Sequence, residues 1–470
     1  MPPIAPNAAL ADLWALGGGD PAALPFATLT GSEPALPSSY AVGTLAQTSI
    51  AASALAGAEL WHLRSGRRQN IAVDMRHAAA EFRSERYLRT DGVAPSDPWD
   101  SLAGLYRTGD NRWVRIHTNF AHHRDGILAL LGCANDRDAV QAELLKCDGE
   151  AFESAAAASG LVATLHRSLE QWAAHPQGKA VGHVPLFEII RIADAPTPRL
   201  TSGARPLSGI RVLDLTRIIA GPVGTRTLAA HGADVLNISS PNLPSIPTLV
   251  RDTGRGKRSA SLDLKTAEDR ATLASLAGDA DVFVQGYRPG GLASLGFSPE
   301  ALAATRPLNA PGIVYVSLSA YGHVGPWANR RGFDSLTQNA NGLNYAEAQA
   351  IGSDRPKELP AQALDHGAGY LIAFAAMMAL HRRATEGGSW HVRVSLAQTG
   401  EWLKRLGRVE GGHSAADPTF DDVSDLLETR PSGFGAATAV RHAAQLAETP
   451  AFWDKPAVPL GHDQPVWLPR

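Results

Sequence analysis

Asp365 is the residue in this sequence best placed for covalent chemistry. It stands in PAQALDHGAGY at 360–370, just ahead of an apolar run at 369–380 rich in Ala, Leu and Met. Such a run suits a buried helix. Asp365 then reads as its N-cap or as part of the turn before it. There an acid meets unpaired N–H groups and the positive end of the helix dipole, which predicts that it stays ionised near neutral pH. An ionised carboxylate in apolar surroundings can attack an activated acyl carbon. The plainer reading is a helix cap alone, because Asp is a preferred capping residue.

Cations form the second group. RGKR at 255–258, together with Arg288, Arg330 and Arg331, either decorates surface loops or anchors a phosphate-rich ligand. The pair His122–His123, with Asp125 nearby, has no third ligand on the same face. A solvated surface loop is expected there, and no metal site. Gly17–Gly19 with Asp20 lacks the Lys and Ser/Thr of a phosphate loop and reads as a turn. The turn at 221–224 is not GxGxxG, and no acid follows a second strand at the usual place. An NAD site is therefore not expected.

From residue 207 onward, strands and helices alternate: strands at 210–215, 233–238, 259–264, 280–284 and 312–318, helices starting near 220, at 265–277 and at 299–305. Thr266 is placed as an N-cap and Gly278 as a stop signal. The strand cores are apolar and β-branched. This predicts an α/β fold: a doubly wound, parallel, Rossmann-like sheet, with ligands at the carboxyl ends of its strands and a smaller α+β domain beside it. The expected divisions are an N-terminal region at 1–195, a linker at 196–206, a ligand-binding domain at 207–400 and an extension at 401–470 that packs back on the large domain. An Ala-rich helix at 40–63 is followed by a turn and the strand at 70–75. Aligning Val73 with Val394 brings Gly66 onto Gly387 and Thr44 onto Asp365. This pattern predicts an internal repeat with the acid in its second copy only.

Composition sets bounds. At 470 residues, two or three domains are expected. A formal charge of −3 gives no reason to expect nucleic acid or an anionic membrane. Cys133 and Cys147 form no CxxC pair, so a reducing cytoplasm is the expected setting. No secretory signal and no run of about 18 apolar residues are read.

Five stretches occur in one order: LDLTRIIAGP (213–222), LAAHGADVL (228–236), RGKRSASLDL (255–264), VQGYRPGGL (284–292) and LSAYGHVGP (318–326). Together they resemble the motifs of family III CoA-transferases, which include formyl-CoA and carnitine CoA-transferases and the related α-methylacyl-CoA racemases. The likeness covers about 206–400, is fainter over 40–190, and extends to LAETPAFW at 446–453. The resemblance implies a CoA thioester as substrate, with no permanently bound cofactor, and a small carboxylic acid as acceptor. It implies Asp365 as a nucleophile passing through a mixed anhydride and an aspartyl-CoA thioester. Amides at His366 and Gly367 are expected to hold the oxyanion. Ala220, Arg258, Tyr287 and Arg331 are expected to bind CoA.

The sequence departs from the family pattern in three places. The stretch after the second strand, ISSPN at 238–242, lacks the usual phosphate-binding Arg, for which Arg255 or Arg258 would have to substitute. Gly286–Tyr287 replaces a common Asn-Phe. Gly332–Phe333–Asp334 lacks the His of the racemase branch, and Phe cannot move a proton; Asp334 reads as a structural hydrogen bonder. An isomerase or racemase on the same scaffold, or a non-catalytic relative, remain the alternatives to a transferase. The family's interlocked dimers, set beside the repeat, imply either a monomeric pseudo-dimer or a homodimer.

Overall fold

A computed structural model describes residues 2–96, 99–198, 200, 202–288 and 290–469. The large sheet has seven strands in the order Lys257–Ser261, Asp234–Ser239, Arg211–Leu215, Val282–Gln285, Val314–Ser319, Ser389–Ser395, Phe187–Ala193. The first six are parallel, and the last lies antiparallel at the edge. The chain winds outward from Arg211–Leu215 to one edge, then restarts at Val282–Gln285 and winds to the other. That reversal opens a crevice at the carboxyl ends of these two strands. The doubly wound sheet expected from sequence is present, and Thr266 does cap its helix, accepting from the Asp269 amide. Gly278 does not stop that helix, which runs to Asp279.

The smaller unit is a three-stranded antiparallel sheet, Gly104–Arg107, Trp113–Ile116 and Ala163–Leu165, covered by the helices Ala121–Leu131, Arg137–Leu144 and Gly149–Ala158. Tyr106, Val114, Ile127 and Leu165 belong to its separate core. The division at 195 does not hold in space. The strand Phe187–Ala193 completes the large sheet, and the helix Val42–Ser65 lies in the large core. Arg199 and Thr201 of the expected linker, and Pro289 of the VQGYRPGGL stretch, lie outside the described residues.

The organising element is the helix Ala363–Glu386, buried without interruption from Ala363 to Leu380. It begins six residues before the apolar run that suggested it. By length and composition it could cross a membrane, contrary to the sequence reading, yet its apolar window is wholly buried in the protein core. A helix enclosed on all sides needs small residues where neighbours cross closely. A Cβ on Gly369 would stand 2.7 Å from the Ala220 carbonyl oxygen, and one on Gly224 would stand 2.8 Å from the Gly369 carbonyl oxygen. This mutual approach seats the start of the Ala220–Ala230 helix against the first turns of the long helix.

The N-terminal part holds a second helix of the same length. Val42–Ser65 and Ala363–Glu386 both have 24 residues, and their N-caps share one backbone geometry: φ −76, ψ 63 at Ala41 and φ −75, ψ 63 at Gln362. Gly66 and Gly387 end them with φ 73 and φ 71. Each is followed by a strand paired in parallel with an earlier strand on one side and antiparallel with another on its other side. The last residue of each strand caps the next helix: Asp74 accepts from the His77 amide, Ser395 from the Gln398 amide.

The C-terminal extension closes over both parts. Ala444–Leu446 pairs with Ile71–Asp74, the Trp453 indole donates to the Arg226 carbonyl at 2.9 Å, and Asp463 accepts from the Ser259 amide at 2.8 Å.

Gly369→Ala forces the close crossing apart. The expected result is a loss of roughly 1–3 kcal/mol of stability, read by urea unfolding. A variant as stable as wild type would show that the crossing tolerates a methyl group.

Candidate active site

The crevice holds a cavity of ≈ 300 Å³. Its sheet side is built from Arg217, Ile218, Ala220, Tyr287 and Arg288. Its opposite wall comes from Phe120, His122 and His123 of the smaller unit and from Arg330, Arg331 and Phe333. Asp365 stands among them and is the only carboxylate among the described lining residues.

The turn before Ala220 is held from beneath. Buried Asp214 accepts from the Thr216 amide at 3.0 Å and the Thr225 hydroxyl at 2.7 Å, and pairs with Lys257 at 3.0 Å. Ile218 takes φ 75, a left-handed conformation rare for a β-branched residue and costly unless its surroundings fix it. The first amides of the following helix, at Ala220 and Gly221, have no intrahelical acceptor. The Val223 amide already reaches Ile219.

Asp365 is the third residue of its helix, not the N-cap. Its amide donates to Asp334 at 2.8 Å, and Gln338 donates to the other oxygen of Asp334. Asp334 is thus the hydrogen bonder expected from sequence, closing the helix end by a side chain from another segment. The carboxyl of Asp365 is nearly buried, 7% exposed. Burial first, then the charges of Asp334 and Glu85, push it well above the ordinary carboxylate range. Burial also raises Asp334, to about 6. The expectation that the helix end keeps Asp365 ionised is overturned: desolvation and two neighbouring acids outweigh the dipole. Beside it, His366 pairs with Glu85 at 3.1 Å and stacks on Phe82.

The other predicted residues divide. Ala220, Tyr287, Arg331, Arg288 and Arg330 meet at the cavity with Asp365. Arg258 does not. It lines a neighbouring cavity, but its guanidinium is engaged by Asp234 at 2.9 Å and by the Val466 carbonyl at 2.7 Å. Arg255 is tied to Asp252 at 2.8 Å and the Val440 carbonyl at 2.7 Å. Neither supplies the missing phosphate Arg, because each is consumed by a structural pair. The His366 amide is spent on Gln362 at 3.0 Å, and Gly367 lies within the helix, so neither fits the expected oxyanion role. His122 and His123 are not on a surface loop; they open the helix Ala121–Leu131 and face the cavity. Arg217 escaped sequence reasoning, although it sits inside LDLTRIIAGP; its position at the strand's carboxyl end was the available signal.

The model of CoA-transferase family III matches residues 207–461, more than half of the chain. The chain belongs to that family. The acetyl-coenzyme A transferase of Hypoxylon pulicicidum is 29% identical over 392 residues, covering 74% of this chain and 66% of that protein. An acyl-CoA transferase of Gibberella moniliformis is 30% identical over 383 residues, covering 73% of this chain and 67% of that one. The chain thus spans about two thirds of the length of these relatives. A solved structure, a hypothetical protein from Mycobacterium tuberculosis, is 30% identical, covering 43% of this chain and 59% of that one, with a TM-score of 0.39.

The raised pKa has a consequence for stability. Above the ordinary carboxyl value of 3.8, the folded state holds Asp365 protonated where the unfolded chain releases the proton. The group's favourable contribution to folding is complete below that value and is lost as pH rises through the folded pKa. Asp365→Asn is therefore expected to unfold at higher denaturant than wild type at neutral pH, the gap closing as pH falls toward 3.8. Equal midpoints at every pH would contradict a raised pKa.

Proposed function

We propose that this protein is an acyl-CoA:carboxylate CoA-transferase with Asp365 as its nucleophile. The observation that carries the reading is the position of Asp365, the sole carboxylate among the described residues lining a cation-rich cavity at the sheet's switch point. A carboxylate oxygen of Asp365 attacks the thioester carbonyl, the C–S bond breaks, and CoA thiolate leaves a mixed anhydride. The thiolate attacks the aspartyl carbonyl and expels the first acid. The acceptor carboxylate attacks the aspartyl thioester, and the thiolate then returns to the acceptor's carbonyl, freeing Asp365. Amides of Ala220 and Gly221 are the open donors for the oxyanion. Arg288 and Arg331 suit CoA phosphates, and Tyr287 suits the adenine ring. A buried, poorly hydrated carboxylate favours attack once ionised.

An isomerase or racemase would need a second proton carrier. His123 enters the cavity, but burial, with His122, Arg331 and Arg217 nearby, pushes it down to about 4. So weak a base is poorly matched to a carbon acid, and the transferase reading is preferred. Intact-mass measurement after mixing with a panel of acyl-CoAs decides the matter. A hydroxylamine-sensitive CoA or acyl adduct is expected on wild type and not on Asp365→Asn. No adduct from any thioester, with no thermal shift from CoA, would point instead to a non-catalytic relative.

The N-terminal block is read as a degenerate copy of the active-site block. In support, Glu33 accepts from the Thr44 amide at 2.6 Å, as Asp334 accepts from the Asp365 amide at 2.8 Å, each at the third residue of a 24-residue helix. The copy supplies the packing but carries Thr44 where the nucleophile would stand, giving one centre per chain. A chain completed by its own copy is expected to run as a monomer in light scattering at all dilutions. A dimer that persists on dilution would show that the copy does not replace a partner.

A further inference from the structure

The cavity wall facing the sheet carries an aromatic cluster beside its arginines. His123 lies between two phenyl rings, 5.9 Å from Phe120 at 63° and 6.2 Å from Phe333 at 73°. Phe333 is backed by His117, stacked at 4.0 Å and 9°. These aromatic groups come from both the smaller unit and the segment leading to Asp334, so the wall is assembled by the fold. His123 is 4% exposed, lines the cavity, and neither of its ring nitrogens has a hydrogen-bond partner. A buried imidazole left unpaired on both sides is unfavourable unless something else satisfies it. Burial keeps it neutral, pushed down to about 4. It therefore offers one donor and one acceptor, the complement of a hydroxyl or carbonyl group. No carboxylate lines this wall among the described residues, and the flanking rings favour a flat apolar partner at edge or face.

We propose that the acyl group delivered to Asp365 is aromatic and carries a ring oxygen, seated against Phe120 and Phe333 and hydrogen-bonded by His123. This rests on the transferase reading and adds the substrate class. His123 is a specificity-determining residue that does no chemistry at the thioester.

The test compares 4-hydroxyphenylacetyl-CoA, phenylacetyl-CoA, acetyl-CoA and succinyl-CoA on wild type, His123→Leu and His123→Gln. On wild type, kcat/KM for the hydroxylated acyl group is expected to exceed that for the unsubstituted ring by on the order of tenfold to a hundredfold, with both above acetyl and succinyl. His123→Leu brings the first ratio to about one, with a larger loss on the hydroxylated substrate than on phenylacetyl-CoA. His123→Gln, which keeps a donor and an acceptor, retains part of the preference. A wild type that favours acetyl or succinyl, or a ratio that survives His123→Leu, overturns the proposal. If no thioester modifies Asp365, the transferase reading fails, and recognition is judged by calorimetry with the two free aryl acids. Tighter binding of the hydroxylated acid, abolished in His123→Leu, upholds the wall's role; equal binding of both acids rejects it.

Discussion

A helix buried on every side imposes the constraint on which the rest of this structure depends. Ala363–Glu386 has no solvent face along its first eighteen residues, so each neighbour must meet it through small groups. Gly369 and Gly224 let two backbones approach to distances that a methyl group would forbid. That approach seats the first turn of the Ala220–Ala230 helix against the turns that follow Asp365. The positions of Asp365 and of the start of the Ala220–Ala230 helix are thus set by one packing event between two helices, rather than by loop conformation. A site on buried helices is held more tightly than one on loops, at the expense of desolvating its acid.

That desolvation is offset only in part. Asp334 takes the amide of Asp365, and in doing so brings a second acid close to the first. Glu85 adds a third, and lies 3.1 Å from the His366 ring. Beside the long helix, residues of other segments form a buried ion-pair network. Arg226 meets Asp252 at 2.9 Å and lies 3.8 Å from Glu81, and Ser84 donates to Asp252 at 2.6 Å. Glu81, Ser84 and Glu85 come from the N-terminal segment, Arg226 and Asp252 from the sheet domain. Removing either partner of so buried a pair would strand a charge, so the network fastens the two parts together. Asp365, by contrast, stands at the cavity with two further acids, Asp334 and Glu85, among the charges around it.

Much of this was legible in the sequence because it follows from local pattern. The alternating strands with apolar cores gave the sheet, and the carboxyl-end rule placed Ala220, Tyr287, Arg288 and Arg331 at the crevice. What was illegible depends on partners far along the chain. Arg255 and Arg258 look free in RGKR; Asp252 is only three residues from Arg255, but Asp234, Val440 and Val466 complete the pairings only in the folded chain. His123 looks like a surface polar residue until the smaller unit sets it beside Phe333. The pKa of Asp365 was misjudged because the dipole is a property of its own helix, whereas Asp334 and Glu85 arrive from two other segments.

The paired helices carry the argument one step further. Thr44 and Asp365 occupy the same position in helices of equal length, each with its amide accepted by an acid. The architecture alone therefore does not make a nucleophile. Around Thr44 the neighbours differ: Gly43 lies against Ala35, Glu33 and Met75, so the side chains there fill the space that a substrate would need. The parallel strand pair beside it stops at Ala27–Thr30 and Ile71–Asp74, with a third short antiparallel strand and no wider sheet. Without a sheet that reverses direction there is no crevice, and without a crevice there is nothing to bring a thioester to the helix end. Thr44 therefore shares the helix position of Asp365 without the crevice that surrounds Asp365.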